Sequence, residues 1–176
     1  PTKGHDMTDT STHRIIGDLR RLDDSHGAVR VQDLFDTDID DVWSALTDPE
    51  RLARWLVEVE GDLQVGGTIH MEFTSTWTGP GRIDVCERPH RLVVTQLPDT
   101  PDETVLEAVL TAEGERTRLV IDERGIPVRM LAGYGAGWQA HLEDLARSLD
   151  TGAPAHPDGW SAATPASAWH RRWSEL

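Results

Sequence analysis

The chain has one cysteine (Cys86), one lysine (Lys3), one tyrosine (Tyr134) and two phenylalanines among 176 residues. A single thiol excludes an intramolecular disulfide and fits a reducing cytoplasm. No apolar run approaches the roughly 20 residues that a membrane helix needs, so no membrane insertion is expected. The first residues are polar and lack the apolar stretch of a signal peptide. Met7 reads as the natural start, with Pro1 to Asp6 a leftover ahead of it. Positive charge is scarce: 17 Lys and Arg stand against 31 Asp and Glu, a formal net charge of −14. That balance argues against nucleic acid and against an anionic membrane surface. Its simplest consequence is solubility. No H-E-x-x-H or paired-cysteine spacing is present, and His5, His13, His26 and His156 are scattered, so no metal site is expected. Gly133-x-Gly135-x-Gly137 lacks the spacing and context of a dinucleotide fingerprint. Ser44, Ser75 and Ser148 have no nucleophile-elbow surroundings, and Cys86 has no partner that would activate it. Neither a metal nor an organic cofactor is implied.

What is present is arginine, which supplies all but one of the basic residues, abundant Ala, Gly and Asp, and seven tryptophans. The arginine bias suggests a high-GC bacterial source. The length favours one domain, large enough to bury a core with room for a cavity. Three segments are expected: a loose N-terminus at 1–13, a folded domain at 14–150, and a Pro- and Ala-rich linker with a short Trp-bearing helical tail at 151–176.

Arg14 to Leu22 and Ala28 to Phe35 flank the polar turn Asp23 to Gly27 and read as a β-hairpin. Thr37 to Thr47 reads as a helix, with Thr37 and Asp40 as a capping box and Ile39, Val42, Trp43 and Leu46 on one face. Asp48-Pro49 suits the cap and first position of a second, shorter helix burying Leu52, Trp55 and Leu56. From Leu63 to Asp122 the period is two, as in an antiparallel meander. Turns are expected at Gly66-Gly67, at Gly79-Pro80-Gly81, after Arg88-Pro89, at Pro98 to Asp102 and at Ala112 to Glu115. From about Val128 to Leu149 a continuous stripe of Leu131, Tyr134, Trp138, Leu142, Leu145 and Leu149 marks one long helix that must cover the sheet. Glu143, Asp144 and Arg147 fall on its opposite side. Trp169, Trp173 and Leu176 have helical spacing in the tail. That segment has three readings: a cap on a pocket, a helix docked on its own domain, or a homodimer contact.

The run Val42-Trp43-Ser44-Ala45-Leu46-Thr47-Asp48-Pro49-Glu50-Arg51-Leu52-Ala53-Arg54-Trp55 resembles the opening signature of the bacterial family related to the heat-shock-protein-90 ATPase activator. That family lies within the START-like (SRPBCC) superfamily. Leu63-x-Val65-Gly66-Gly67-Thr68, Gly81-Arg82-Ile83 with Pro89 and Leu92, and Gly137-Trp138 with Leu142 and Leu145 are similar to its later motifs. The resemblance covers about residues 14–150. It implies an α+β helix-grip fold: a curved antiparallel sheet wrapped around a long C-terminal helix, with two short helices after the first hairpin. It also implies a pocket for a hydrophobic small molecule between sheet and helix. Glu123 departs from the pattern, since family members often carry histidine there. Some START-like proteins of antibiotic producers bind and neutralise reactive natural products, including enediynes, so natural-product self-resistance or biosynthesis is a special case of the expectation.

Candidate ligand-binding residues are Trp43, Trp55, Trp77, Tyr134 and Trp138, which stack on flat ligands or simply pack a core. Met71 and Phe73 on the meander, and His141 and Leu142 on the long helix, complete the candidate set. His70 and Glu72 share the polar side of one strand and, with His141, would supply acid–base chemistry in a cyclase or hydrolase. Ordinary solvent exposure is the simpler reading of that pair. The glycines Gly133, Gly135 and Gly137 either bring the long helix close to the sheet or leave space for a ligand. A third function, a protein-interaction module of the chaperone-activator kind, follows from the family name alone.

Overall fold

The computed structural model describes residues 14–161 and 165–176. The expected loose N-terminus at 1–13, and Thr164 at the opening of the tail helix, lie outside these residues. Element order is β1 (Gly17–Arg21), β2 (His26–Phe35), α1 (Ile39–Thr47), α2 (Pro49–Leu52), β3 (Val57–Gly61), β4 (Thr68–Phe73), β5 (Thr78–Glu87), β6 (Arg91–Gln96), β7 (Thr104–Glu113) and β8 (Arg116–Pro127). A 3-10 turn (Val128–Met130) then leads into α3 (Leu131–Thr151), and α4 (Pro165–Trp173) follows. The strands form one curved, unclosed antiparallel sheet of eight, in the order β1-β2-β8-β7-β6-β5-β4-β3. This is the expected α+β helix-grip architecture, with α3 lying against the sheet.

Local chemistry explains the elements. Asp38 caps α1: its side chain accepts from the Asp41 N–H at 2.9 Å, and Asp40 and Asp41 favour the positive end of the helix dipole. The cap therefore sits one residue later than expected, and Thr37 instead donates its hydroxyl to the Asp41 carboxylate at 2.8 Å. Asp48 caps α2 ahead of Pro49, as the sequence indicates. Gly152 ends α3 in the left-handed conformation, φ 70°, where a β-carbon would be strained.

Two features of the meander differ from expectation. Val57–Gly61 is a strand, paired with β4 from Val57↔Phe73 to Gly61↔Ile69. Its Val-Glu-Val-Glu alternation carries the signal, but its closeness to α2 hides it. Gly79-Pro80-Gly81 is not a turn: it lies inside β5, with Gly79 opposite Met71 and Gly81 opposite Ile69. The chain turns earlier, where the Phe73 N–H bonds the Trp77 carbonyl at 2.8 Å. The glycines serve packing, because a β-carbon on Gly81 would lie 2.5 Å from the Met71 methyl and one on Gly79 would lie 2.9 Å from the Trp77 ring.

The core joins the inner face of the sheet to α1, α3 and α4. Val29, Val31, Leu119 and Ile121 from the strands meet Leu142 and Leu145 from α3, all buried. Burial of each such side chain stabilises by roughly 1.5–3 kcal/mol. The tail helix docks on its own domain: Trp173 is fully buried, Trp169 is buried, and Leu176 is exposed.

That docking changes the environment of the far side of α3. Glu143 holds the Trp169 indole N–H at 2.8 Å. Asp144, expected on a polar face, is buried and is bonded by His156 and Trp160 of the segment ahead of α4. The Gly135 question resolves through the same helix, since its missing side chain makes room for Trp173, not for the sheet or a ligand. Among the described residues, no helix is long and apolar enough to cross a membrane.

Candidate functional site

A cavity of about 520 Å³ lies between one face of α3, the β4–β5 turn and the C-terminal segment. Helical spacing places Met130, Gly133, Tyr134, Gly137, Trp138 and His141 along its wall. Phe73 and Trp77 face them from the sheet, in edge-to-face contact at 5.4 Å between ring centroids. Trp160, Ala166 and His170 come from the C-terminal segment, so residues beyond the long helix complete the cavity. Trp160 stacks on His141 at 4.3 Å and 28°, and Trp138 meets the same imidazole at 5.6 Å. No atom lies within 4 Å of a β-carbon placed on Gly137, and only His170 comes that near to one on Gly133. Those two glycines leave open space beside the cavity.

A second, smaller chamber of about 140 Å³ lies deeper, among Leu46, Leu52, Trp55, Met71, Ile83 and Leu106. Phe73 and Trp138 line both spaces and separate them. An apolar cavity of about 150 Å³ is known to stay dry and accept benzene. The inner chamber thus suits a small apolar group.

Of the sequence candidates, Phe73, Trp77, Tyr134, Trp138 and His141 line the outer cavity, while Trp55 and Met71 line the inner chamber. Trp43 and Leu142 are buried in the core and line neither. His70 and Glu72 are not brought to the cavity. Both are exposed, 3.6 Å apart, with His70 also 3.3 Å from the Thr78 hydroxyl. The strand alternation that buries Ile69 and Met71 turns their neighbours to solvent. Any acid–base chemistry built on that pair is therefore excluded from the cavity.

Glu123 is marked by the sequence only as a departure from the family pattern, not as a site residue. It lines the outer cavity, is buried, and sits on β8 after Leu119 and Ile121 on the same inward face. Period-two alternation was the available signal. Its carboxyl accepts from Trp138 Nε1 at 2.6 Å and Thr104 Oγ1 at 3.0 Å. Burial pushes its pKa above the usual carboxylate range, against the opposing pull of those two hydrogen bonds. Burial likewise raises the Tyr134 phenol, helped by the nearby Glu123. His141 is drawn down to about 3, chiefly by burial, so at neutral pH it is an uncharged ring packed among aromatics.

The cavity roof is fastened by Asp144. Its Oδ1 lies 2.9 Å from His156 Nε2, and its Oδ2 accepts from Trp160 Nε1 at 3.0 Å. Backbone bonds from Ala155 to Arg54 and from Trp160 to Thr74, both 2.9 Å, pin the same segment to the body of the fold. Among the described residues, no cluster of His, Cys, Asp and Glu has the composition of a metal site.

The family model for Activator of Hsp90 ATPase homolog 1-like proteins matches residues 36–150. The chain belongs to this family. Among solved structures it is similar to CalU16 from Micromonospora echinospora, with 26% identity and a TM-score of 0.72 for the crystal structure, over 91% of this chain and 96% of that one. DynU16, a protein of the dynemicin biosynthetic locus, is 31% identical with a TM-score of 0.67, over 74% of this chain and 50% of that one. Protein MLL2253 of Mesorhizobium loti shares the fold at 22% identity and a TM-score of 0.63, over 70% of this chain and 96% of that one. No curated protein sequence matches the chain significantly.

Proposed function

We propose that this protein binds a flat, largely aromatic small molecule in the outer cavity, in the setting of natural-product biosynthesis or self-resistance. The observation that carries the reading is the cavity wall itself: Phe73, Trp77, Tyr134, Trp138 and Trp160 present aromatic surface around a volume within the range of about 300–1,000 Å³ usual for ligand sites. The likeness to a protein of the dynemicin locus supports a polyketide-type ligand. In this reading residues 14–150 are the ligand-binding domain and the tail is its roof. The exposed thiol of Cys86 favours a reducing cytoplasm. A second reading, an enzyme of the cyclase or hydrolase kind, draws its support from Glu123, the buried acid in the cavity wall.

A thermal-shift screen against polyketides, enediyne analogues, flavonoids and fatty acids tests binding, with Trp138→Ala beside the wild type. A ligand at 100 times its Kd stabilises by about 2.7 kcal/mol. In a domain of this size that raises Tm by roughly 5–10 °C. A shift in the wild type that shrinks in the variant supports the cavity. A folded protein that responds to none of the set overturns the reading.

A further inference from the structure

We infer that the ligand is a neutral aromatic carbonyl compound, a ketone, quinone or lactone, whose carbonyl oxygen is held by Gln96, Glu123 and Tyr134. The inference rests on the outer cavity being a ligand site and adds the chemistry that orients the ligand within it.

The three residues come from different elements and line the same space: Gln96 from the end of β6, Glu123 from β8, Tyr134 from the first turn of α3. Thr104 lies between the two strand residues. It pairs with Gln96 in the β6–β7 ladder and donates its hydroxyl to Glu123. The Gln96 side chain is 95% buried, being 5% exposed, yet its amide has no hydrogen-bond partner among the described residues. No polar atom of the described side chains is both sealed from solvent and unpaired. The Gln96 amide is therefore accessible, and the cavity it lines is what it faces. An amide deep in the wall, open to the cavity and without a partner among the described residues, is free to bond a polar group that the cavity receives. The phenol of Tyr134 is in the same condition: half-buried, lining the cavity, with no hydrogen bond among the described residues.

Charge decides which group that is. Glu123 is buried among Trp138, Thr104 and apolar side chains and has no ion-pair partner among the described residues. A carboxyl in such surroundings is favoured in its neutral form, which carries an O–H donor. Gln96 N–H, Glu123 O–H and Tyr134 O–H then offer uncharged donors from the wall of one cavity. A carbonyl oxygen accepts from two or more of them. The cavity wall holds one arginine, Arg129, but it is exposed on the 3-10 turn ahead of α3. A carboxylate at the buried cluster would bring a second acid beside Glu123. Paired neutral donors from a protonated carboxyl and a tyrosine hold a ketone oxygen well in apolar sites. The aromatic walls fix the body of the ligand, and this cluster fixes which edge points inward.

Fluorene, 9-fluorenone and fluorene-9-carboxylate share one ring skeleton and differ at a single position. Their Kd values for the full chain, by isothermal titration calorimetry at neutral pH, test the inference. Fluorenone is expected to bind at least tenfold more tightly than fluorene, and the carboxylate more weakly than fluorenone. In the Gln96→Leu, Tyr134→Phe double variant, checked for folding by circular dichroism, the preference for fluorenone should collapse while fluorene binding persists. Glu123→Gln, which keeps a neutral donor, should retain most of it. Equal affinity for fluorene and fluorenone, or tighter binding of the carboxylate, overturns the carbonyl assignment and leaves the cavity reading intact. No binding of any of the three by a folded protein overturns both.

Discussion

A β-carbon placed on Gly135 would lie 2.2 Å from the six-membered ring of Trp173. The indole occupies the space that a side chain would fill, and its N–H reaches Gln139 Oε1 one helical turn further on, at 2.9 Å. Gly135→Ala should therefore push α4 off α3, at a cost of about 1–3 kcal/mol for an overpacked contact. Gly137→Ala, two residues away but with nothing within 4 Å, should stabilise α3 by about 0.5–1 kcal/mol through helix propensity alone. Urea titrations of the two variants check this. Opposite signs support the packing account, and equal effects contradict it.

The same pair shows what the sequence could and could not reveal. The stripe on the long helix, the cap at Asp48-Pro49 and the first hairpin were legible because each depends on residues close together in the chain. The role of Gly135 was not, since it depends on a tryptophan 38 positions away. Asp144 read as solvent-facing for the same reason: the segment that buries it, with His156 and Trp160, is itself part of a Pro- and Ala-rich stretch with no periodicity. The aromatic candidates on α3 came from its helical period, whereas Gln96 and Glu123 matter only because three strands and a helix converge. Gly79-Pro80-Gly81 misled because Gly and Pro usually punctuate a chain, yet here Met71 across the sheet and Trp77 in the preceding turn demand small residues.

His141 makes stability depend on pH. Its imidazole titrates near 6.5 when unfolded and at about 3 in the fold, where burial, and to a lesser degree His156, oppose the charge. The unfolded chain thus binds more protons below pH 6.5. The contribution of this group is complete above that pH and is lost as pH falls towards 3. About 2 kcal/mol should be gone by pH 5. His141→Phe keeps a ring against Trp160 and removes the titration. Unfolding free energies at pH 7 and pH 5 should converge in the variant and differ in the wild type.

Glu123 contributes with the opposite sign. Burial raises its folded pKa, so the fold favours its protonated form, and stability falls as pH rises from the unfolded value towards the folded one. Glu123→Gln holds an acceptor for one of Trp138 and Thr104 and carries no charge. It should be less sensitive than the wild type to rising pH in thermal melts. Glu123→Ala leaves both donors unpaired in a buried site and should cost about 1–3 kcal/mol or more at every pH. If the glutamine variant keeps the wild-type slope, Glu123 is not the titrating group.

Asp144 joins the folded body to the cavity roof through one carboxyl that serves two side chains, His156 and Trp160. Asp144→Ala strips both donors of their acceptor at once and should destabilise by about 1–3 kcal/mol. The loss should concentrate in residues 152–161, where the remaining anchors include the backbone bonds to Arg54 and Thr74 and the stack of Trp160 on His141. Asp144→Asn is the informative comparison. Its amide oxygen still accepts from Trp160, its amide N–H₂ still reaches the His156 ring, and the burial cost of a charge disappears. Limited proteolysis should cut the alanine variant within 152–161 faster than the wild type, with the asparagine variant close to wild type. Because Trp160 forms part of the cavity wall, the alanine variant should also bind cavity ligands more weakly, and the asparagine variant should not. Rapid cleavage of both variants would mean that the charge of Asp144, rather than its hydrogen bonds, holds the roof in place.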